Sequence, residues 1–329
     1  MPSFGIPDLS PDLEADLTAK MAQVEVLLRK QIDGKYPLVV ETSRHLVEAG
    51  GKRLRPLLTL ITSHFGNPAA PGIIEAAVVC ELTHVATLYH DDVMDEAPLR
   101  RGVASANNRW GNTVAILTGD YLFARTSDML ADLGPAAVHL QAQTFERLVI
   151  GQIMETQGPA EGEDPLAHYL KVVGDKTGSL IAASAQFGAM LAGAPREHID
   201  ALTVFGEKIG VTFQLADDVI DIASDSKESG KTPGTDLKEG VPTLVTLNVM
   251  KSTRAEDREL QHLLSAPIEE QETINQVLAE LRKHPALEQS REQLLSIAKE
   301  ARTLLGPLPV NDATGALFSL CDAVIDRSA

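Results

Sequence analysis

Leu13, Leu17, Met21, Val24, Leu28 and Ile32 recur at steps of three and four residues. That spacing puts them on one side of an α-helix and predicts a long amphipathic first element. The same pattern returns over about 37–49, 53–66, 72–95, 109–133, 136–157, 176–192 and 197–222. It continues over about 242–251, 269–283, 287–305 and 312–327. Turn formers interrupt it at Gly66-Asn67-Pro68, Gly134-Pro135, Gly158 to Pro165, Gly230 to Pro242 and Gly306 to Asn311. No apolar–polar alternation bounded by hairpin signals stands out, and no internal repeat of fixed period is present. The pattern predicts an all-α chain.

Composition narrows the function classes. The 329 residues carry a formal charge of −17, which argues against nucleic acid or an anionic membrane surface as the main partner. Aromatic residues make up only 4%, too few for a platform that stacks bases. The two cysteines, Cys80 and Cys321, sit in apolar runs, so neither a disulfide framework nor a thiolate metal site is expected. The N-terminal stretch lacks the basic start and apolar core of a signal peptide. No run approaches the 18 or more apolar residues of a membrane span. A soluble, cytoplasmic protein is expected.

One pattern occurs twice. Asp91-Asp92-Val93-Met94-Asp95 and Asp217-Asp218-Val219-Ile220-Asp221 both read DDxxD, each at the C-terminal end of a long apolar helical stretch. The 22 aspartates among 329 residues give this pattern by chance about 0.1 times per chain, so a pair is a specific signal. On a helix, positions i and i+4 share a face, which aligns Asp91 with Asp95 and Asp217 with Asp221. Like charges so placed repel, and a helix C-terminus is the wrong end of the dipole for anions. Something cationic should offset them. Oxygen donors without His or Cys suit magnesium or manganese. Magnesium completes its shell with water and phosphate oxygens, so the motifs point to a phosphate-bearing ligand.

Cations cluster near the motifs. Gly50-Gly51-Lys52-Arg53-Leu54-Arg55-Pro56 packs three into four residues, and Arg100 and Arg101 follow the first motif. Lys176-Thr177 opens a helical stretch, Gln214 precedes Asp217 by three, and Lys231 and Lys238 follow the second motif. Arg grips phosphate oxygens in pairs and Lys acts as a point charge. The grouping reads as two diphosphate sites, one held through metal by carboxylates and the other directly by cations.

With these residues in order, the chain resembles the trans-isoprenyl diphosphate synthases (polyprenyl synthetases), nearest to the bacterial long-chain type. The landmarks are GGKRLRP at 50–56, HVATLYHDDVMDEAPLRRG at 84–102, KTGSL at 176–180, FQLADDVID at 213–221 and KTPGTDLKEG at 231–240. NNRWGNTVAILTGDYLFA at 107–124 supports the long-chain branch. The resemblance implies a single all-helical domain over 1–329 around a deep central cavity, with a motif-bearing core at about 40–245 and a helical part at 246–329. It implies a homodimer. It implies that Asp91, Asp92, Asp95, Asp217, Asp218 and Asp221 hold magnesium, three ions with bound diphosphate, on an allylic substrate. Lys52, Arg55, His84 and Arg101 would then bind isopentenyl diphosphate, and Arg100, Lys176, Thr177, Gln214 and Lys231 the allylic prenyl diphosphate. Lys176 also counts among the catalytic residues with the six aspartates. One departure is plain: Val241 stands where the family usually has a diphosphate-binding lysine, and Lys238 is the candidate to replace it.

The implied reaction is ionisation, condensation and elimination, ending in a linear polyprenyl diphosphate such as a quinone side-chain precursor. A carbocation needs a dry apolar cavity. The growing tail should run from the first motif along the preceding helix, where a turn of about 5.4 Å matches an isoprene unit. Thr87 and Ala86, four and five residues before Asp91, are small, and Thr83, Cys80, Val79 and Ala76 follow without an aromatic. A product beyond three isoprene units is expected, with Ala86 and Thr87 as chain-length residues; the alternative is a plug from another helix, for which Phe123, Met154 and Phe187 are the candidates. A short-chain synthase and the catalytic subunit of a two-component synthase stay open, as does membrane contact during product release. A class I terpene cyclase has no use for Lys52 and Arg55, and its second motif usually holds Asn, Ser or Thr with Glu. A noncatalytic regulatory subunit normally loses one or both Asp motifs. A membrane prenyltransferase would need spans.

Overall fold

The computed structural model describes residues 4–223 and 234–328. Apart from its connecting loops and one small hairpin, the described chain is helical. The helices are α1 (Pro11–Ile32), α2 (Pro37–Glu48), α3 (Leu54–Ser63), α4 (Ile73–Met94), α5 (Ala106–Trp110), α6 (Asn112–Leu133) and α7 (Pro135–Gln157). They continue as α8 (Pro165–Val173), α9 (Ser179–Leu191), α10 (Arg196–Ala223), α11 (Thr235–Glu239) and α12 (Leu244–Met250). The last four are α13 (Arg258–Leu263), α14 (Gln271–Leu281), α15 (Pro285–Leu304) and α16 (Asp312–Ser328). The all-α expectation holds, and no helix of the described residues is long and apolar enough to cross a membrane.

The chain divides into two compact units. One comprises Met1–Glu146, Leu180–Gly206 and Pro307–Leu317, the other Arg147–Ser179, Glu207–Gly306 and Phe318–Ala329.

In the first unit α4 is the central element, packed against α1, α3 and α6. Fourteen of its 22 residues are buried, as a helix apolar nearly all round must be. Glycine lets its neighbours come close. A Cβ on Gly119 of α6 would lie 3.1 Å from the carbonyl oxygen of Ala86 and 2.3 Å from His90 Nε2. A Cβ on Gly188 of α9 would sit 2.0 Å from the Thr59 carbonyl oxygen of α3. The first helix starts as its sequence directs: Ser10 Oγ caps the Leu13 N–H and Pro11 occupies the first turn.

The hairpin pairs β1 (Leu99–Arg100) with β2 (Val103–Ala104), antiparallel. Its two turn residues, Arg101 (φ 53°) and Gly102 (φ 77°), are both left-handed, the geometry that matches strand twist in a two-residue turn. Strands of two residues cannot display alternation, which is why the sequence reading found no hairpin.

The second unit is built around an aliphatic core in which Val219 and Ile222 of α10 meet Val245 and Val249 of α12 and Val277 and Leu281 of α14. Its other notable element is a π-helical turn, Gly174–Gly178, between α8 and α9. Wide turns of this kind concentrate at functional sites. Here the turn carries Lys176 and Thr177 just ahead of α9, where the sequence reading had begun a helix at 176.

Candidate active site

In the first unit, the basic segment Gly50 to Arg55 splits by role. Arg53 takes a left-handed backbone (φ 49°) to start α3. Its guanidinium is fully engaged, donating to Glu25 Oε1 at 2.7 Å, Glu81 Oε1 at 2.7 Å and the Val47 carbonyl at 2.9 Å. These bonds hold its pKa above the ordinary value although burial pulls it down. Arg53 is therefore structural. Arg55 differs: its Nε–H is buried without a partner, and burial lowers its pKa against the pull of Glu81. Arg101, aimed by the hairpin turn, donates to the Leu46 carbonyl at 2.6 Å and lies 3.6 Å from Glu81. Gly51 leaves room for it, since a Cβ there would stand 3.1 Å from the Arg101 guanidinium carbon.

His84 on α4 joins this group. Burial, then Arg55, Arg101, Arg100 and Arg53, push its pKa well below the usual imidazole value, so the ring is neutral and keeps one N–H to donate. Lys52 lies on the exposed edge of the segment. The result is a half-buried cationic cluster beside the carboxylates of Glu81 and Glu25, with an orphaned guanidinium N–H. Such a cluster fits an anion with several oxygens.

Two turns further along α4 the first aspartate motif closes the helix. Asp91 and Asp92 lie in its last turn and Asp95 is the C-cap. The expected counter-cation is Arg100, whose Nε is 2.5 Å from Asp92 Oδ1 and whose Nη2 is 3.9 Å from Asp95 Oδ2. Burial raises the Asp92 pKa and Arg100 opposes that shift. Asp92 Oδ2 is buried with no hydrogen-bond partner, a position that a cation would satisfy. Lower on the same helix, Ala86 and Thr87 are buried, and Thr87 Oγ1 donates back to the His84 carbonyl at 2.8 Å.

In the second unit, α8, the π-helical turn and α10 line a pocket of about 840 Å3 including its open mouth. Lys176 is 2.5 Å from Glu155 Oε2. Thr177 Oγ1 lies 3.4 Å from Gln214 Oε1, and Gln214 Nε2 donates to Asp218 Oδ1 at 3.1 Å. Tyr169 donates its hydroxyl to the other oxygen of Asp218. Burial lifts the Asp218 pKa to about 6, opposed by the bonds from Tyr169 and Gln214. Asp221 accepts the Gly234 N–H at 3.1 Å. Among the described residues no three acidic, histidine or cysteine side chains already converge on an ion position.

A family model for polyprenyl synthetases matches residues 36–281. The chain belongs to the polyprenyl synthetase family. It is thus an enzyme that transfers prenyl groups. It is similar to the nonaprenyl diphosphate synthase of Mycobacterium tuberculosis, 44% identical over 95% of this chain and 94% of the relative. It also resembles the heptaprenyl diphosphate synthase component 2 of Geobacillus stearothermophilus, 36% identical over 92% and 94%. Its fold is similar to that of the geranylgeranyl pyrophosphate synthase of Corynebacterium glutamicum, solved with calcium and isoprenyl diphosphate. That likeness has a TM-score of 0.87 at 43% identity and covers 98% of this chain and 99% of that one.

Within this synthetase the structure brings Arg55, His84 and Arg101 together, and separately Lys176, Thr177, Gln214 and Asp218. Lys231 lies outside the described residues. Val241 lines the pocket of the second unit, whereas Lys238 is exposed and is not among its walls. Of the aromatic and sulfur plugs, Phe187 is fully buried, Phe123 stacks on Phe145 with ring centroids 4.6 Å apart, and the Met154 carbonyl accepts from His168 Nε2.

Three residues were missed by sequence reasoning. Tyr169 sits on α8, whose start is signalled by Asp164 capping the Leu166 N–H and by Pro165 in the first turn. Glu155 follows Gly151, where a Cβ would meet the Lys176 nitrogen at 2.7 Å. Arg147 steadies the π-helical turn by joining Asp175 at 2.8 Å to Glu207 at 2.7 Å. Lone residues of these types carry no motif.

Proposed function

We propose that this enzyme condenses isopentenyl diphosphate with an allylic prenyl diphosphate and releases a linear, long-chain polyprenyl diphosphate of the kind used for quinone side chains. The single observation that carries the reading is the arrangement on α4. His84, with Arg55 and Arg101, makes an anion site, and two turns later the helix ends in Asp91, Asp92 and Asp95. One helix thus serves a directly held diphosphate and a metal-held one.

Lys52, Arg55, His84 and Arg101 bind isopentenyl diphosphate; Arg100, Lys176, Thr177, Gln214 and Lys231 bind the allylic substrate. Asp91, Asp92, Asp95, Asp217, Asp218 and Asp221 would hold magnesium, three ions in the loaded enzyme with manganese as a substitute, and Tyr169 and Gln214 orient the Asp218 carboxylate. When bound, magnesium supplies Lewis-acid stabilisation of the departing diphosphate. Arg100 and Lys176 each carry a fixed positive charge suited to a departing diphosphate. The carbon–oxygen electron pair leaves with diphosphate, and the Thr177 and Gln214 oxygens face the developing allylic cation. The isopentenyl double bond attacks that cation, and diphosphate removes the proton that restores an allylic product. The apolar body of α4 excludes water.

The same reading takes the chain as one synthase domain that works in the cytoplasm as a homodimer. The relatives above carry names of different product lengths at nearly equal identity, so length is tested directly. Purified protein is incubated with magnesium, labelled isopentenyl diphosphate and each allylic primer, and the dephosphorylated products are sized. A ladder ending beyond three units supports the reading, and termination at three or four makes the enzyme a short-chain synthase. Binding of both diphosphates without elongation assigns it to a two-component synthase.

A further inference from the structure

The line of small residues on α4 below the first aspartate motif is crossed at one point. Gln141 of α7 donates from Nε2 to Thr83 Oγ1 at 2.9 Å. Thr83 is fully buried and Gln141 is 7% exposed. The amide oxygen of Gln141 is buried and has no hydrogen-bond partner. The other threonine hydroxyls on these two helices behave differently. Thr87 Oγ1 turns back to the His84 carbonyl and Thr144 Oγ1 to the Leu140 carbonyl, so each shows its methyl to its surroundings. Gln141 instead reaches from one helix to the other.

Thr83 lies eight residues before Asp91 on the same helix, about 12 Å along the axis at 1.5 Å per residue. It shares a face with Thr87 and Asp91, the face along which a tail anchored at the motif grows. We infer that Gln141, held across this face by Thr83, is a chain-length-determining residue that acts as a polar stop on the growing prenyl tail. The chemistry is specific to the stop. A hydrocarbon chain passing this level must break the Gln141–Thr83 hydrogen bond, and it can offer neither group a replacement. The penalty falls on one addition step and leaves the earlier ones untouched.

This inference rests on the proposed elongation activity, and the experiment separates the two. Wild type, Gln141→Ala and Thr83→Val are assayed with the same primer, with labelled isopentenyl diphosphate in excess, and products are sized. The expected result is that both variants lengthen the longest product by at least one five-carbon unit and raise the share of over-length product about ten-fold. The KM for isopentenyl diphosphate should stay unchanged, since neither residue belongs to its site. Thr83→Val preserves shape and keeps the test valid if Gln141→Ala fails to fold. Folded variants with the wild-type product distribution overturn the inference, and so does lengthening in Gln141→Ala alone, which would make bulk rather than the hydrogen bond the stop. Absence of any elongated product from wild type would instead overturn the proposed activity.

Discussion

Gln214 and Asp218, one turn apart on α10, are joined amide to carboxylate at 3.1 Å. A carboxylate accepts only, so the bond settles which end of the amide faces it: nitrogen toward Asp218, oxygen toward the Thr177 hydroxyl at 3.4 Å. The negative end of the Gln214 dipole is thereby presented beside Thr177. Gln214→Leu removes that dipole and strips Asp218 of one of its donors. The expected outcome is a fall in kcat of about 10²-fold with isopentenyl diphosphate KM little changed, measured by steady-state kinetics. A kcat within a few-fold of wild type would count against the role of the amide.

Arg100 offers a second test. Its guanidinium neutralises a carboxylate with no exposed side-chain surface. Arg100→Gln should cost about 1.5–3 kcal/mol, the worth of a hydrogen bond to a charged group, read from denaturant midpoints. Magnesium added without substrate should then raise the thermal midpoint more in the variant than in wild type, where the ion must compete with Arg100. An equal or smaller shift in the variant would remove Arg100 from its role as resident counter-cation.

His84 makes stability depend on pH in a definite direction. An unfolded histidine titrates near pH 6.5, whereas His84 in the fold stays neutral well below that value because of burial and the surrounding arginines. Below about pH 6.5 the unfolded chain therefore binds a proton that the folded chain refuses, and stability is lost as pH falls. The thermal midpoint should drop on going from about pH 7.5 to 5.5, and His84→Gln should flatten that drop. Parallel slopes for the two proteins would refute this.

Gly188 tests the core. Its missing Cβ would lie 2.0 Å from the Thr59 carbonyl oxygen and 2.3 Å from Thr62 Oγ1, so neither backbone can yield without moving a helix. Gly188→Ala should destabilise by about 3 kcal/mol, seen as an early melting transition. Gly315→Ala, with nothing within 4 Å of the added carbon, should melt close to wild type.

The helices and the two aspartate motifs were legible because each leaves a local imprint: three-and-four spacing for α1 or α4, and carboxylates four apart for the motifs. Pairings between distant residues left none. Nothing in the string links Arg55 to Arg101, or Lys176 to Glu155; only the resemblance grouped the first pair, and nothing grouped the second. The short helix α8 escaped because its nine residues give barely two turns of periodicity, although Asp164-Pro165 marked its start. Gln141 was invisible for a plainer reason: a lone glutamine in an apolar-periodic helix reads as a solvent-facing residue.

The 99–104 hairpin sends two neighbouring arginines to different addresses, Arg100 to Asp92 and Asp95 and Arg101 to Glu81 and the Leu46 carbonyl. Arg100 is the last residue of its strand and Arg101, at φ 53°, the first of the turn, so the assignment hangs on where the turn falls. Inserting or deleting a single codon there would shift the turn and displace both side chains at once. On the proposed function, both diphosphate sites would lose a cation in one mutational event. For this segment length is inherited as a unit, and variation is confined to replacing one letter with another.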